Sequence, residues 1–447
     1  MNELERDTLL AAPPKHRIER IDGDDRGRSI GGDDYGPSPP IAPLPSPSPC
    51  RESLRGLDWF IFFLADVQTG FGPFVAVYLT TQKWTQVEIG FVLSIGGIVA
   101  LLGQMPGGAI VDAARSTKLV AGAAVLTICF CALGYAAFPV FPIVVTAATL
   151  HAMASCVLGP AIAAVSLGLV GPLRIGERLG RNARFASLGN GVAAAVMGTC
   201  GYYLSSRSVF VVTFLLALPT LYALSRIRAR DIDAAQAHGA TAAQTEGHTA
   251  VRFRDLVRQK ALLIFAAAVL LLQLANAAML PLMAGVVTTR SADWAPVLIA
   301  FCIVVPQAIV AATSPTVGRK AQQWGRRPLL LLGFAALAIR GLLFATVTDP
   351  YVLVAVQLFD GVTAAVFSVM IPLIVADLAF GSGRYSLALG IVGTATGIGA
   401  ALSTVLAGLI ADHFGAPLAF IGLAGVAALG LFLIWAIMPE TRRCGAT

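Results

Sequence analysis

The sequence predicts an all-α polytopic membrane protein of twelve transmembrane helices, divided six and six. Three observations carry that fold class. Of 447 residues, 56% are hydrophobic and 13% charged, against roughly 25% charged in soluble proteins, and mean hydropathy is +0.76. Too few polar side chains remain to clothe a soluble core of this size. Twelve apolar stretches alternate with short polar links, and Lys and Arg crowd into every second link. The 45 glycines suit helices packed closely in lipid.

Residues 1–56 read as a disordered cytoplasmic tail, with mixed charge up to Asp34 and a Pro/Ser run from Pro37 to Pro49 that favours extended backbone. The tail has no apolar signal-peptide core, so the first span doubles as the insertion signal. Six spans follow, at 57–81, 87–111, 118–138, 141–170, 185–205 and 208–225. Six more lie at 260–287, 294–317, 328–347, 351–378, 385–411 and 416–438. Each can cross a ~30 Å hydrocarbon core at about 1.5 Å rise per residue. The spans 141–170 and 351–378 are long enough to be tilted or to project beyond the bilayer. Residues 57–225 thus form an N-terminal set, 226–259 a cytoplasmic linker, 260–438 a C-terminal set and 439–447 a cytoplasmic tail.

Orientation follows from the basic residues. One set of links holds Arg115 and Lys118, then Arg174, Arg178, Arg181 and Arg184. It continues with seven basic residues between Arg226 and Lys260, then Arg319, Lys320, Arg326, Arg327 and Arg384. The opposite links hold only Lys83, Arg207 and Arg290. Both termini are therefore expected on the cytoplasmic side of a cell (inner) membrane. Within the linker, Ala234 to Thr249 reads as flexible. Val251 to Lys260 places Phe253, Leu256 and Val257 on one face, which suits either a short surface helix or a solvated basic stretch.

Several function classes are excluded by what the chain lacks. There is no basic polar domain of the kind that binds nucleic acid. No P-loop appears, so ATP is not the direct energy source, and no GxSxG or flanked acid pair marks an intramembrane enzyme. The seven cysteines show no metal-ligand spacing and read as small buried hydrophobes. No enzyme activity, cofactor or metal is expected.

A shift of about 210 residues aligns the two halves. The link PGGAIVDAARSTK (Pro106 to Lys118) then faces SPTVGRKAQQWGRRP (Ser314 to Pro328), and RFASLG (Arg184 to Gly189) faces RYSLALG (Arg384 to Gly390). With these motifs the chain resembles the major facilitator superfamily (MFS) of secondary transporters, whose signature in this link is GxxxD(R/K)xG(R/K)(R/K). Gly108 and Asp112 match in the first half, while Ala113 replaces the basic residue and Arg115 stands at the second glycine. In the second half Gly318, Gly325, Arg326 and Arg327 match, and Gln322 replaces the acid. The resemblance covers residues 57–440. It implies two six-helix bundles around a central cavity that rock in alternating access, with these motif residues at the gate. Asp112 could meet a helix N-terminus or a basic residue in one access state only.

Ionisable groups at membrane depth are costly and are candidates for function. Asp66 in ADVQTGFGP lies in the first span with Gln68 and Thr69 beside it. It reads as a substrate or proton site, or as a structural hydrogen bond. Its repeat mate is Asn276, near Gln273 in span seven. His151 lies in span four, where the resemblance puts an Arg in many proton-coupled members, and can serve as a proton acceptor or in packing. Arg340 and Asp360 lie on adjacent spans and could pair, either statically or as a pair that opens in the cycle. Asp377, near the inner end of span ten, reads as gating or interfacial, and Asn190, Gln307 and Gln357 could line the cavity or, as single amides more often do, make interhelical hydrogen bonds.

The resulting expectation is a secondary transporter of a small organic solute, with the proton as coupling ion and a monomer in the bilayer as working unit. Few polar groups among many apolar spans favour efflux of an amphipathic compound. The Gly-Pro pair of drug antiporters is absent from span five and stands at Gly159-Pro160 in span four. Uptake of an organic acid, with Arg340 or His151 as the anion's partner, is the alternative.

Overall fold

The computed structural model describes residues 50–65, 67–68, 72–240, 253–290, 295–347 and 349–441, which are nearly all helical. The described residues of the first span include α1 (Arg51–Ala65) and α2 (Gly72–Thr81). Then come α3 (Gln86–Ala113), α4 (Thr117–Ala137), α5 (Phe141–Tyr203), α6 (Ser206–Leu215) and α7 (Ala217–Ser225). The linker contributes α8 (Ala234–Ala237) and α9 (Phe253–Val257). The second half holds α10 (Lys260–Asn276), α11 (Met279–Arg290), α12 (Ala295–Trp324), α13 (Arg327–Thr346), α14 (Pro350–Leu378), α15 (Tyr385–Phe414) and α16 (Ala416–Ala436). Among the described residues, ten helical segments are long and apolar enough to cross a membrane. Twelve spans result because α5 carries two and the first span, which is described only in part, supplies the last.

Local chemistry explains the helix ends. Thr85 and Glu88 form a reciprocal capping box at α3. Ser116 caps α4, Ser205 caps α6 and Asp349 caps α14, each through its side-chain oxygen. Gly415, at φ 87°, turns the chain between α15 and α16.

The longest helix departs from the expected pattern. α5 runs through both the fourth and fifth spans, and the link between them is helical from Pro172 onward. One residue breaks it, Gly171, at φ 71° and ψ 172°. Pro172 has no N–H to offer the carbonyl four residues back. That carbonyl, Gly168 O, accepts the Asp233 amide of the linker instead, at 3.0 Å. The helical link lifts Arg178 and Arg181 beside α1.

The start of the linker is folded, contrary to the flexible stretch expected from Ala234. Ser53 Oγ donates to Asp231 Oδ2 at 2.6 Å and accepts from Arg228 N at 3.1 Å. Glu52 pairs with Arg226 and Arg228. Further on, His238 O accepts from Tyr385 N at 3.2 Å, and Gly239 O from Gly381 N at 2.6 Å. Residues 226–240 therefore strap the first bundle to the α14–α15 turn of the second. Lys118, one of the basic link residues, donates to the Ser225 and Ile227 carbonyls at the end of α7, at 3.3 and 2.5 Å. The remainder of the expected flexible stretch, 241–249, lies outside the described residues. A short helix does form within 251–260, as α9, and sinks Leu256 into the second bundle's core.

Two apolar cores result. One joins α1–α7, and the other joins α10–α16 with part of α5. Phe91, Leu102, Leu119 and Phe130 are among many large apolar side chains left exposed, the surface a lipid solvent requires.

Candidate functional site

The two bundles meet at the end that carries the basic links. On one flank, Gly108 of α3 lies against the Ser386 carbonyl and Leu387 of α15, and Gly390 of α15 lies against Gln104 and Met105 of α3. On the other, Gly318 of α12 meets Gly176 of α5, and Gly180 of α5 meets Ser314 and Pro315. Backbone touches backbone at each crossing, which only glycine permits. Toward the opposite end, Gly90, Gly96 and Gly97 of α3, Gly191 and Gly198 of α5, and Gly408 of α15 have nothing within 4 Å of an added Cβ.

Asp112 sits at the α3–α15 crossing. Its Oδ1 accepts from Ser386 N at 3.0 Å and its Oδ2 from Leu387 N at 2.8 Å. These are first-turn amides of α15, without partners inside the helix, and the carboxylate suits the positive end of the helix dipole. His238 Nδ1 stands 3.6 Å from the same Oδ1. Arg115 is exposed nearby.

The second copy of the motif behaves differently. Gly318 makes the equivalent close crossing, but it meets Gly176 and Glu177, which lie beyond the first turn of a helix begun at Pro172. Their amides are held inside the helix, so an acid has nothing to cap there. That accounts for Gln322 at the position of Asp112. Gly325, at φ 93°, makes the turn from α12 to α13. Arg326 is buried and its Nε donates to Asp377 Oδ2 at 2.9 Å, while the Arg326 and Arg327 amides donate to Glu440 at 2.8 and 3.1 Å. These residues bind α13, α14 and the chain after α16 within one bundle. They do not bridge the two bundles as Asp112 does.

Inside the C-terminal bundle, Arg340 is 1% exposed in its side chain and pairs with Asp360, Nη1 to Oδ1 at 2.5 Å; Asp360 is 23% exposed. The same Nη1 donates to Asn276 Oδ1 at 2.7 Å. The guanidinium lies 5.3 Å over the Phe344 ring. Arg340 Nε is among the buried polar atoms without a partner, and the buried Gln357 amide, one turn before Asp360, has the Cys302 thiol beside it. In the N-terminal bundle, His151 Nε2 stands 3.3 Å from Gln68 O, and Gln68 Nε2 donates to Ser155 O at 3.4 Å. Asp66 lies outside the described residues. His151 and Asp360 occupy the same place in their helices, ten residues from the starts of α5 and α14, so the repeat relates one ionisable group to the other.

Between the bundles lies a cavity of about 380 Å³. Its walls are apolar, with Ile61, Pro160, Ala163, Leu179, Pro372 and Leu389 among them; Gln104, Asn182 and Ser368 are the polar side chains. Asn182 is already engaged by Arg178 and Ser166. The cavity spans Gly159 on α5 and Ser368 on α14, each eight residues past His151 or Asp360. Both ionisable groups therefore stand about 12 Å along their helices from it, away from the basic end.

One feature escaped the sequence reading. Asp58 of α1 is 3% exposed in its side chain and accepts from Arg178 Nη2 at 2.6 Å and Arg181 Nη2 at 2.6 Å. Arg178 Nε donates to Asn182 Oδ1 at 2.6 Å, and Asn182 Nδ2 to Ser166 Oγ at 2.7 Å. The available signal was an acid in the first apolar turn together with an Arg–Asn pair at i, i+4.

The family model described as Major Facilitator Superfamily matches residues 59–289 and 266–445. The chain belongs to that superfamily. Two curated relatives from Mycobacterium tuberculosis, strains CDC 1551 / Oshkosh and ATCC 25618 / H37Rv, each named an uncharacterized MFS-type transporter, are 40% identical over 394 residues. The match spans 87% of this chain and 93% of each relative. Among solved structures, the proton:xylose symporter XylE bound to 6-bromo-6-deoxy-D-glucose matches with TM-score 0.68 at 15% identity, covering 88% of this chain and 96% of that one. The human organic anion transporter MFSD10 (TETRAN) matches with TM-score 0.64 at 16% identity, covering 86% and 99%. These likenesses carry the fold: twelve transmembrane helices as two six-helix bundles in an integral membrane transporter of this superfamily.

Proposed function

We propose that this superfamily member is a proton-coupled exporter of an amphipathic organic compound, working as a monomer by rocking its two bundles. The observation that carries the reading is the apolar cavity between the bundles with the Asp360–Arg340 pair about 12 Å away along α14. The apolar walls suit the body of such a substrate. The polar side chains of the wall, Gln104 and Ser368, suit its polar end. Asp360 is the exposed partner of the pair, so a proton can reach it while Arg340 stays enclosed. Protonation removes the counter-charge of a buried guanidinium, which is costly unless the surroundings rearrange. Proton binding is thereby coupled to bundle motion. His151 with Gln68 occupies the equivalent level of the first bundle, with Asp66 and Asn276 as further candidates.

By the excess of Lys and Arg the basic end is cytoplasmic, with both termini and the linker 226–259 on that side of the inner membrane. The bundles are closed there, so the structure is outward-facing, and the Asp112 cap on α15 is a contact of this state alone. Uptake of an organic acid finds Arg340 already committed to Asp360 and Asn276.

The test uses purified protein in proteoliposomes under an imposed pH gradient, with substrates first found by thermal shift across metabolites and antimicrobials. Asp360→Asn is expected to lose gradient-driven movement while keeping substrate exchange and the ligand-induced thermal shift. Asp66→Asn serves as the comparator. Gradient-driven movement that survives in Asp360→Asn removes this residue from coupling. Accumulation of organic acids in the direction of the proton overturns the export reading.

A further inference from the structure

We infer that the lateral groove between α5 and α12 at the basic end is a site for the headgroup phosphate of an anionic phospholipid. The bound lipid would hold the bundles closed at that end. The inference goes beyond the transport reading and does not depend on what the cavity carries.

The groove has a volume of about 430 Å³ and is lined by Arg181, Arg184, Arg319 and Glu177 over an apolar floor of Phe185, Leu188 and Pro315. Arg181 lies 5.7 Å over the Phe185 ring. Arg184 Nε donates across the bundle interface to Ala311 O at 3.0 Å, and its exposed side chain lines the groove. Arg319 Nη2 donates to Thr316 Oγ1 at 3.2 Å. Asp58 offsets one of Arg178 and Arg181, and Glu177 one more, so this cluster keeps a positive excess. Arginine forks match phosphate oxygens in pairs.

Two observations favour a lipid over a soluble anion. Arg184 stands at the beginning of the fifth apolar span and Arg319 just past the end of the eighth, the level of the headgroups. From the groove, Leu188, Val192 and Val196 continue along α5 at four-residue spacing, all exposed, a stripe an acyl chain can follow. The site also has two owners. α5 comes from the first bundle and α12 from the second, and their apposition depends on the Gly176–Gly318 and Gly180–Ser314 crossings. A ligand that needs both walls binds the closed state better and shifts the equilibrium toward it.

The experiment compares the full chain in phosphatidylcholine nanodiscs with and without phosphatidylglycerol. Native mass spectrometry reads retained lipid, and spin labels at Arg174→Cys and Gln323→Cys read the gap across the basic end. Phosphatidylglycerol is expected to be retained and to narrow the distance distribution. In Arg184→Gln/Arg319→Gln retention should fall by about thirty-fold, the effect of two arginines near an anionic headgroup. Both side chains are exposed, so the variant is expected to fold, and Arg184→Lys/Arg319→Lys should recover part of the retention. Arg254→Gln/Arg258→Gln removes the same charge outside the groove and should retain the lipid. An equal loss in that control, unchanged retention in the groove variant, or equal narrowing by inorganic phosphate alone would each overturn the inference.

Discussion

Asp58→Asn is expected to cost the first bundle about 3–5 kcal/mol, as expected when one partner of a buried ion pair is removed. Asn keeps the shape and one acceptor, so the effect isolates the charge. The damage falls on Arg178, which is as enclosed as Asp58, whereas Arg181 is 52% exposed in its side chain and recovers water. Arg178 would retain Asn182 Oδ1 at 2.6 Å and Leu54 O at 3.4 Å, neither of them charged. The apparent unfolding midpoint in detergent should drop by roughly 10 °C for a unit of this size. Two companions make the reading specific. Arg181→Gln should move the midpoint little, because an exposed partner contributes little. Arg178→Met added to Asp58→Asn should restore much of the loss, since removing both members of a buried pair is far milder than stranding one. A midpoint for Asp58→Asn within experimental scatter of the parent would show that the network does not hold α1 to α5.

That pair also marks where the sequence was legible and where it was not. The span count and its six-and-six division follow from hydropathy and charge, which are properties of segments. They survive errors of several residues at each boundary. Asp112 could be picked out because its motif recurs at the matching link of the other half, and its partner, the N-terminus of α15, is what a carboxylate at that place would seek. Arg340 and Asp360 stood out as charges at membrane depth, where a partner is nearly obligatory. Asp58 did not, because one residue inside a span it looks like interfacial charge. Its burial comes from the helical stretch after Pro172, and that stretch reads as a polar link by composition. The folded start of the linker was equally hidden. Its anchors are backbone groups, above all the Gly168 carbonyl freed by Pro172, and backbone pairing leaves no side-chain periodicity to read. The difference between the two gate copies lies deeper still. Gln322 stands in place of the acid in the sequence motif, and the resumption of α5 at Pro172, a full turn before Gly176, leaves no free amide opposite it.

The glycine crossings yield the other large effect, on conformation more than on stability. In Gly108→Ala the new Cβ would run into the Ser386 carbonyl oxygen and stand 2.7 Å from its carbon; in Gly318→Ala it would run into Gly176 O and stand 3.0 Å from its carbon. Neither neighbour is a side chain that could turn away, so the helices themselves must part. Overpacking of this kind costs about 1–3 kcal/mol, and here nearly all of it falls on the state in which the bundles touch. Each residue lies on the surface of its own bundle, which can fold undisturbed. A two-state equilibrium biased by that amount shifts by roughly 5- to 150-fold, and the double variant should leave the closed form a minor species. Spin labels at Arg174→Cys and Gln323→Cys should report a longer distance across the basic end, with no substrate required. Asp112→Ala should act in the same direction but less, since it removes two amide contacts without adding a clash. Gly90→Ala and Gly96→Ala, which meet nothing within 4 Å, should leave the distance unchanged. If the Gly108 and Gly318 variants also left it unchanged, the crossings would be passive packing, and control of closure would rest with the Asp112 cap and the linker strap at His238 and Gly239.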